Sequence, residues 1–131
     1  MTPFTIDVPD ALLDDLRARL HSTRWPEREL VDDWSQGTPL GYVREVCRYW
    51  ADGYDWRARE AQLNRFDQFT TPVDVLGYPG LHFVHPRSPH TDAMPLLITL
   101  AWPGSILEFH KLIEPLTDPT RHGGDAADAF H

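Results

Sequence analysis

A single cysteine, Cys47, is present among the 131 residues, so no disulfide can close within the chain and nothing points to an oxidising compartment. A reducing cytoplasm is the expected location. Basic residues are scarce as well: 12 Lys and Arg stand against 20 Asp and Glu, a formal charge of -8, and such a balance repels a polyanion. Nucleic acid is therefore not an expected partner. No apolar run approaches the roughly 18 residues needed to span a bilayer. The start, Met1-Thr2-Pro3-Phe4-Thr5-Ile6-Asp7, has neither the basic nor the apolar region of a leader, so no membrane association is expected. What is present is enough apolar residue for a core. Leu, Ile, Val and Phe make up about a quarter of the chain, above the roughly 20% below which disorder prevails. The length fits one ordinary domain or a piece of a larger one.

Helical spacing dominates the first half. Pro9-Asp10 opens a helix in which Asp10 is the expected cap and Leu12, Leu13, Leu16 and Leu20 form an apolar stripe. Ser22 to Gly37 carries Trp25 and Trp34 without a sustained period and reads as an irregular, partly buried connection. Thr38-Pro39 is a second expected cap, followed by Leu40, Val43, Val46 or Cys47, and Trp50, until Gly53 stops the run. A third helix is expected from Asp55 to about Arg65.

From Phe69 the period changes. Val73 and Val75 alternate with polar neighbours, Gly77-Tyr78-Pro79-Gly80 supplies turn chemistry, and Leu81 to His85 resumes extended structure, an expected antiparallel hairpin. Arg87 to Ala93 is a polar loop. Pro95 then introduces Leu96-Leu97-Ile98-Thr99-Leu100, an unalternating run that predicts a strand covered on both faces. Trp102-Pro103-Gly104 is the turn after it, and Ser105 is the expected cap of a helix with an inward stripe of Ile106, Phe109, Leu112 and Ile113, ending near Pro115. Strand, sharp turn and helix in that order begin a βα unit. After Leu116 the residues read as a surface loop, and the chain reads as cut just before its next strand. The edge left beside residues 95–100 would pair with another copy or with a complementing chain.

Several constellations have a plain structural explanation. His82 and His85 lie three apart on an expected strand, point to opposite faces and cannot share a metal ion. No metal or cofactor is expected. Ser105, His110 and Asp118 would make a nucleophile, base and orienter, but the Gly-x-Ser-x-Gly elbow is absent, and capping explains Ser105. Asp14-Asp15 and Asp32-Asp33 read as solvated surface, and Trp50 and Trp56 as core. The turn after the 95–100 run is different. Ligands gather at the carboxyl ends of such strands, and the free Trp102 N–H is placed to stabilise a developing oxyanion; the local residues alone equally describe an ordinary packed turn.

Taken in order, Phe4-Thr5-Ile6-Asp7-Val8-Pro9-Asp10, Arg17-x-x-Leu20-x-x-Thr23-Arg24-Trp25-Pro26, Trp34-Ser35-Gln36-Gly37, Tyr49-Trp50, Tyr54-Asp55-Trp56-Arg57, Glu60-x-x-Leu63-Asn64 and Leu81-His82-Phe83-Val84-His85-x-x-Ser88 resemble the N-terminal region of microsomal-type epoxide hydrolases. Pro95-Leu96-Leu97-Ile98-Thr99 and Trp102-Pro103-Gly104-Ser105-x-x-Glu108-Phe109 extend the resemblance. It implies an α/β class: residues 1–68 are a helical segment that wraps the core, and residues 69–131 begin an α/β-hydrolase sheet with hairpin, strand, oxyanion loop and helix. It also implies small-molecule epoxides as substrates. An Asp attacks a ring carbon to form an ester, a His oriented by an acidic residue activates water to hydrolyse it, and two tyrosines protonate the epoxide oxygen. In the family all of these lie downstream of His131, so this chain alone is expected to be inactive.

Only the oxyanion loop carries over by residue. The resemblance implies that Trp102 N–H is one oxyanion donor and that Trp102-Pro103 is a cis peptide. Where the family usually has His-Gly-Trp-Pro-Gly-Ser, this chain has Leu100-Ala101-Trp102-Pro103-Gly104-Ser105. Ala101 removes access to positive φ and adds a methyl, and Leu100 removes an imidazole. That departure leaves open an alternative reading, a non-catalytic interaction module that has kept the wrapping segment.

Overall fold

In the computed structural model, which describes residues 1–73 and 78–131, the chain divides into two units, Asp7–Arg59 and Met1–Ile6 with Glu60–His131. This division falls inside a helix, whereas the family resemblance draws its boundary at 68/69.

The first unit is built on helix α1, Asp10–His21, packed on helix α2, Leu40–Asp52. Leu13 is buried at 6% exposure, Leu16 and Leu20 are half-buried beside it, and Leu12 points outward. Burying a leucine this fully contributes about 1.5–3 kcal/mol. Leu40, Val43, Cys47 and Ala51 form the inward stripe of α2. Trp50 sits about 80° around the helix from the line Leu40–Cys47–Ala51, and it is exposed, which corrects its expected place in the core. Trp56 is half-buried. Ser22 to Gly37 is irregular, as its broken spacing predicts. There Trp25 lies under the Arg44 guanidinium at 5.6 Å, and Trp34 meets Tyr42 edge-on.

The helix starts differ from expectation. Pro9 and Pro39 occupy the N-cap positions, so neither Asp10 nor Thr38 makes a side-chain cap. Asp10 instead pairs with Arg57. At α2 the cap comes from a distance: Glu29 Oε2 accepts from Leu40 N–H at 2.9 Å, and this hydrogen bond is the main reason its carboxyl is held below the ordinary range. Helix α3, Trp56–Leu63, follows its sequence signal, with Asp55 Oδ1 accepting from Ala58 N–H at 2.9 Å.

The second unit carries a three-stranded antiparallel sheet, β1 (Thr2–Phe4), β2 (Gln68–Val73) and β3 (Tyr78–Val84), in the order β1-β2-β3. Gln68 pairs with both Phe4 and Val84. The hairpin is present, but Tyr78 and Gly80 belong to β3 and not to a turn; Val75 and Gly77 lie outside the described residues. Pro72 is tolerated in the central strand because the register shifts between Thr71 and Val73 and β1 ends opposite Thr70.

Beyond β3 the expected parallel strand is reduced to one bridge. Met94 pairs in parallel with Phe130, Met94 N–H donates to Ala129 O, His131 N–H to Met94 O, and Leu96 N–H to His131 O at 3.1 Å. Among the described residues this pairing goes no further than Leu96, and Leu97 is 88% exposed. The expected helix after Ser105 is split into a 3-10 turn, Ile106–Phe109, and a short helix α4, Ile113–Thr117, with Pro115 inside α4 instead of ending it. The residues after Leu116 are more ordered than a loop: two further 3-10 turns, Pro119–His122 and Ala126–Asp128, bury Pro119 and Ala129.

Candidate functional site

The turn at 101–104 is defined by its own hydrogen bond. Gly104 N–H donates to Ala101 O at 2.8 Å, and the Trp102–Pro103 bond is cis, so the four residues form a type VI turn with proline third. A Cβ on Gly104 would lie 2.8 Å from Leu100 Cδ2 and 2.9 Å from the Ala101 carbonyl oxygen. The backbone oxygen cannot retreat without opening the turn, so glycine is required here.

Ser105 then caps the following 3-10 turn. Its Oγ accepts from Leu107 N–H at 3.3 Å, and Glu108 Oε1 accepts in return from Ser105 N–H at 3.2 Å. This reciprocal pair is a capping box. The Ser-x-x-Glu spacing at 105–108 is its sequence signal, although the apolar stripe alone does not reveal it. Trp102 projects outward at 93% exposure, and its N–H has no acceptor among the described residues. Ala101 keeps an ordinary backbone, because among the described residues only Gly37 and Gly123 have positive φ. Ala101, where the resemblance implies a glycine, therefore strains nothing in this turn. What it adds is one methyl group.

Ser105, His110 and Asp118 are not brought together. His110 Nδ1 bonds to Leu107 O at 2.6 Å, and Asp118 accepts from Thr120 Oγ1 at 2.7 Å, faces His90 Nε2 at 3.2 Å and pairs with Arg121 Nε at 2.9 Å. These partners, Thr120 foremost, hold the Asp118 carboxyl below its ordinary range. A capping serine, a histidine bonded to Leu107 O and an aspartate held by Thr120, His90 and Arg121 make no hydrolytic triad.

His82 lies on the sheet face that carries Gln68 and Phe4, while His85 follows the end of β3 at the opposite phase of the alternation. His82 Nε2 is 3.0 Å from Gln68 Oε1, and its ring is 4.7 Å from that of Phe4. Burial lowers its pKa. Among the described residues no cluster of three His, Cys, Asp or Glu side chains is arranged to hold a metal ion. No helix among them is long and apolar enough to cross a membrane.

Sequence and structure comparisons agree on one family. Residues 1–109 match the family model described as the epoxide hydrolase N terminus. A protein of Stigmatella aurantiaca (strain DW4/3-1), provisionally named as an epoxide hydrolase, is 56% identical over all 131 residues, which are 29% of its own length. Epoxide hydrolase 1 of Sus scrofa is 32% identical over 92% of this chain and 27% of its own. The solved epoxide hydrolase of Aspergillus niger superposes with a TM-score of 0.81 at 30% identity, covering 99% of this chain and 33% of that one. The chain thus spans about a third or less of the relatives it matches. Its helices and small sheet are those of the N-terminal part of an α/β-hydrolase.

Proposed function

The chain belongs to the epoxide hydrolase N-terminus family, and on that premise we propose that it supplies the N-terminal part of an enzyme that hydrolyses epoxides to vicinal diols in a reducing cytoplasm. Residues 1–68 serve as the wrapping segment and residues 69–131 begin the catalytic sheet. In the first step a carboxylate oxygen attacks a ring carbon, the ring C–O bond breaks toward oxygen, and a tyrosine hydroxyl protonates that oxygen. In the second, a histidine takes a proton from water, the hydroxide adds to the ester carbonyl carbon, and the negative charge moves to the carbonyl oxygen. Trp102 N–H donates to this oxyanion; its collapse breaks the ester C–O bond, the departing alkoxide takes the proton held by the histidinium to give the diol, and the regenerated carboxylic acid returns its proton to the tyrosinate. Nucleophile, tyrosines and histidine come from the part of the enzyme that follows this chain.

The observation that carries the proposal is the Trp102 N–H, without an acceptor among the described residues, at the head of a turn closed by Gly104 N–H and Ala101 O. A donor already bonded in the protein has nothing to offer a developing charge; one held by a rigid turn costs little reorganisation at the moment of reaction. The exposed apolar run Leu96–Leu100 supports the rest, since it offers an edge for further strand pairing.

The purified 131-residue chain should form no diol from an aryl epoxide. It should bind the separately expressed remainder of the Stigmatella aurantiaca relative in a one-to-one complex by light scattering, and self-associate with rising concentration when that partner is absent. Steady diol formation by the chain alone, or no complex with the remainder, contradicts the proposal.

A further inference from the structure

We propose that Glu108 is a positioning residue for the oxyanion donor, acting by occupying the one competing amide of the Trp102 turn. The inference rests on the reading of Trp102 N–H as a donor to the ester oxyanion. Between residues 102 and 105 the backbone offers three N–H groups, because Pro103 has none. Gly104 N–H is engaged by Ala101 O at 2.8 Å, and Ser105 N–H by Glu108 Oε1 at 3.2 Å. Among the described residues, Trp102 N–H alone of the three has no acceptor.

The carboxylate also meets the turn from a second side. Glu108 Oε1 lies 3.1 Å from where a Cβ of residue 104 would stand, so the side chain folds back against the turn as well as capping the segment after it. Ser105 Oγ closes the other leg through Leu107 N–H, and Glu108 N–H donates to Ser105 O at 2.9 Å. Three hydrogen bonds link residues 105, 107 and 108 and fix the residue that follows the turn. A donor displaced by about 1 Å loses much of its effect on a transition state, up to roughly 100-fold in rate. Without Glu108, Ser105 N–H becomes a second open donor and the turn loses its anchor.

The test compares the full 131-residue chain with its Glu108→Gln, Glu108→Ala and Glu108→Asp variants. Gln keeps an acceptor at the same reach, Ala removes it, and Asp keeps the charge but falls short. Amide exchange at Ser105, followed by NMR, should accelerate at least tenfold in Ala and Asp and stay near wild type in Gln. Each variant is also mixed with the separately expressed remainder of the Stigmatella aurantiaca relative and assayed on an aryl epoxide. There kcat should fall about tenfold in Ala and Asp with KM unchanged, and Gln should restore it. Equal Ser105 exchange in all four proteins overturns the inference, and so does faster exchange with undiminished kcat; in both cases an active wild-type mixture leaves the functional proposal standing. A wild-type mixture that forms no diol overturns that proposal and the inference with it.

Discussion

Leu13 in α1 and Gln68 in β2 are buried to nearly the same degree, 6% and 5% exposed, but each holds its own unit by a different physics. Leu13 belongs to an apolar stripe that recurs every three or four residues and meets a second stripe on α2. Gln68 belongs to a polar network. Its Nε2 donates to Leu63 O at 3.0 Å and to Asn64 Oδ1 at 3.3 Å, its Oε1 faces His82 Nε2 at 3.0 Å, and Asn64 in turn clasps Ile6 through both its N–H and its carbonyl. The two donor bonds orient the amide, so Oε1 is the acceptor and His82 Nε2 the donor. Apolar packing loses gradually as atoms are removed; a buried polar network loses by leaving its partners unsatisfied.

Four substitutions or conditions sharpen that contrast. Leu13→Ala should cost about 3 kcal/mol and release amide protection in α1 and α2, read by hydrogen exchange. Gln68→Leu, which keeps the bulk and removes the amide, should cost about 2 kcal/mol at the amides of β2 and β3, because Leu63 O and the His82 imidazole lose their partner. Equal stability of that variant and wild type would show that the network contributes nothing beyond its volume. Acidification should distinguish the units a third way. Burial holds the folded pKa of His82 below its unfolded value, so its contribution is complete above the unfolded pKa of about 6.5 and is lost as pH falls through the folded value. The urea midpoint of the β2–β3 amides should therefore drop between pH 7.5 and pH 5 in wild type and drop less in His82→Gln. The smallest effect is expected at the exposed Asp10–Arg57 pair, where Asp10→Ala should change stability by no more than about 0.5 kcal/mol.

The same contrast explains what was legible in the sequence. The stripes of α1 and α2 are legible because their contacts are specified by spacing within one helix; their margins, as at exposed Trp50, are not. The hairpin could be read from alternation and turn residues. The network at Gln68 could not, since Asn64 reaches Ile6 across 58 residues and no local pattern announces a buried amide. The strand expected at 95–100 pairs only as far as Leu96 among the described residues, and the sequence cannot tell how far: an apolar run specifies burial, while a ladder depends on a neighbour. At the candidate site the turn residues and Trp102 were visible from sequence, and the motif order pointed to the family. Glu108 was visible only as part of a motif, because its role depends on which amide its carboxylate meets.

Diol formation from an aryl epoxide by the chain mixed with the separately expressed remainder of the Stigmatella aurantiaca relative, set against each part alone, is the most direct test of the central claim. Turnover in the mixture and none in either part is the predicted result. A mixture that forms a one-to-one complex yet remains silent would contradict the claim that the Leu100-Ala101-Trp102 turn still serves as an oxyanion loop.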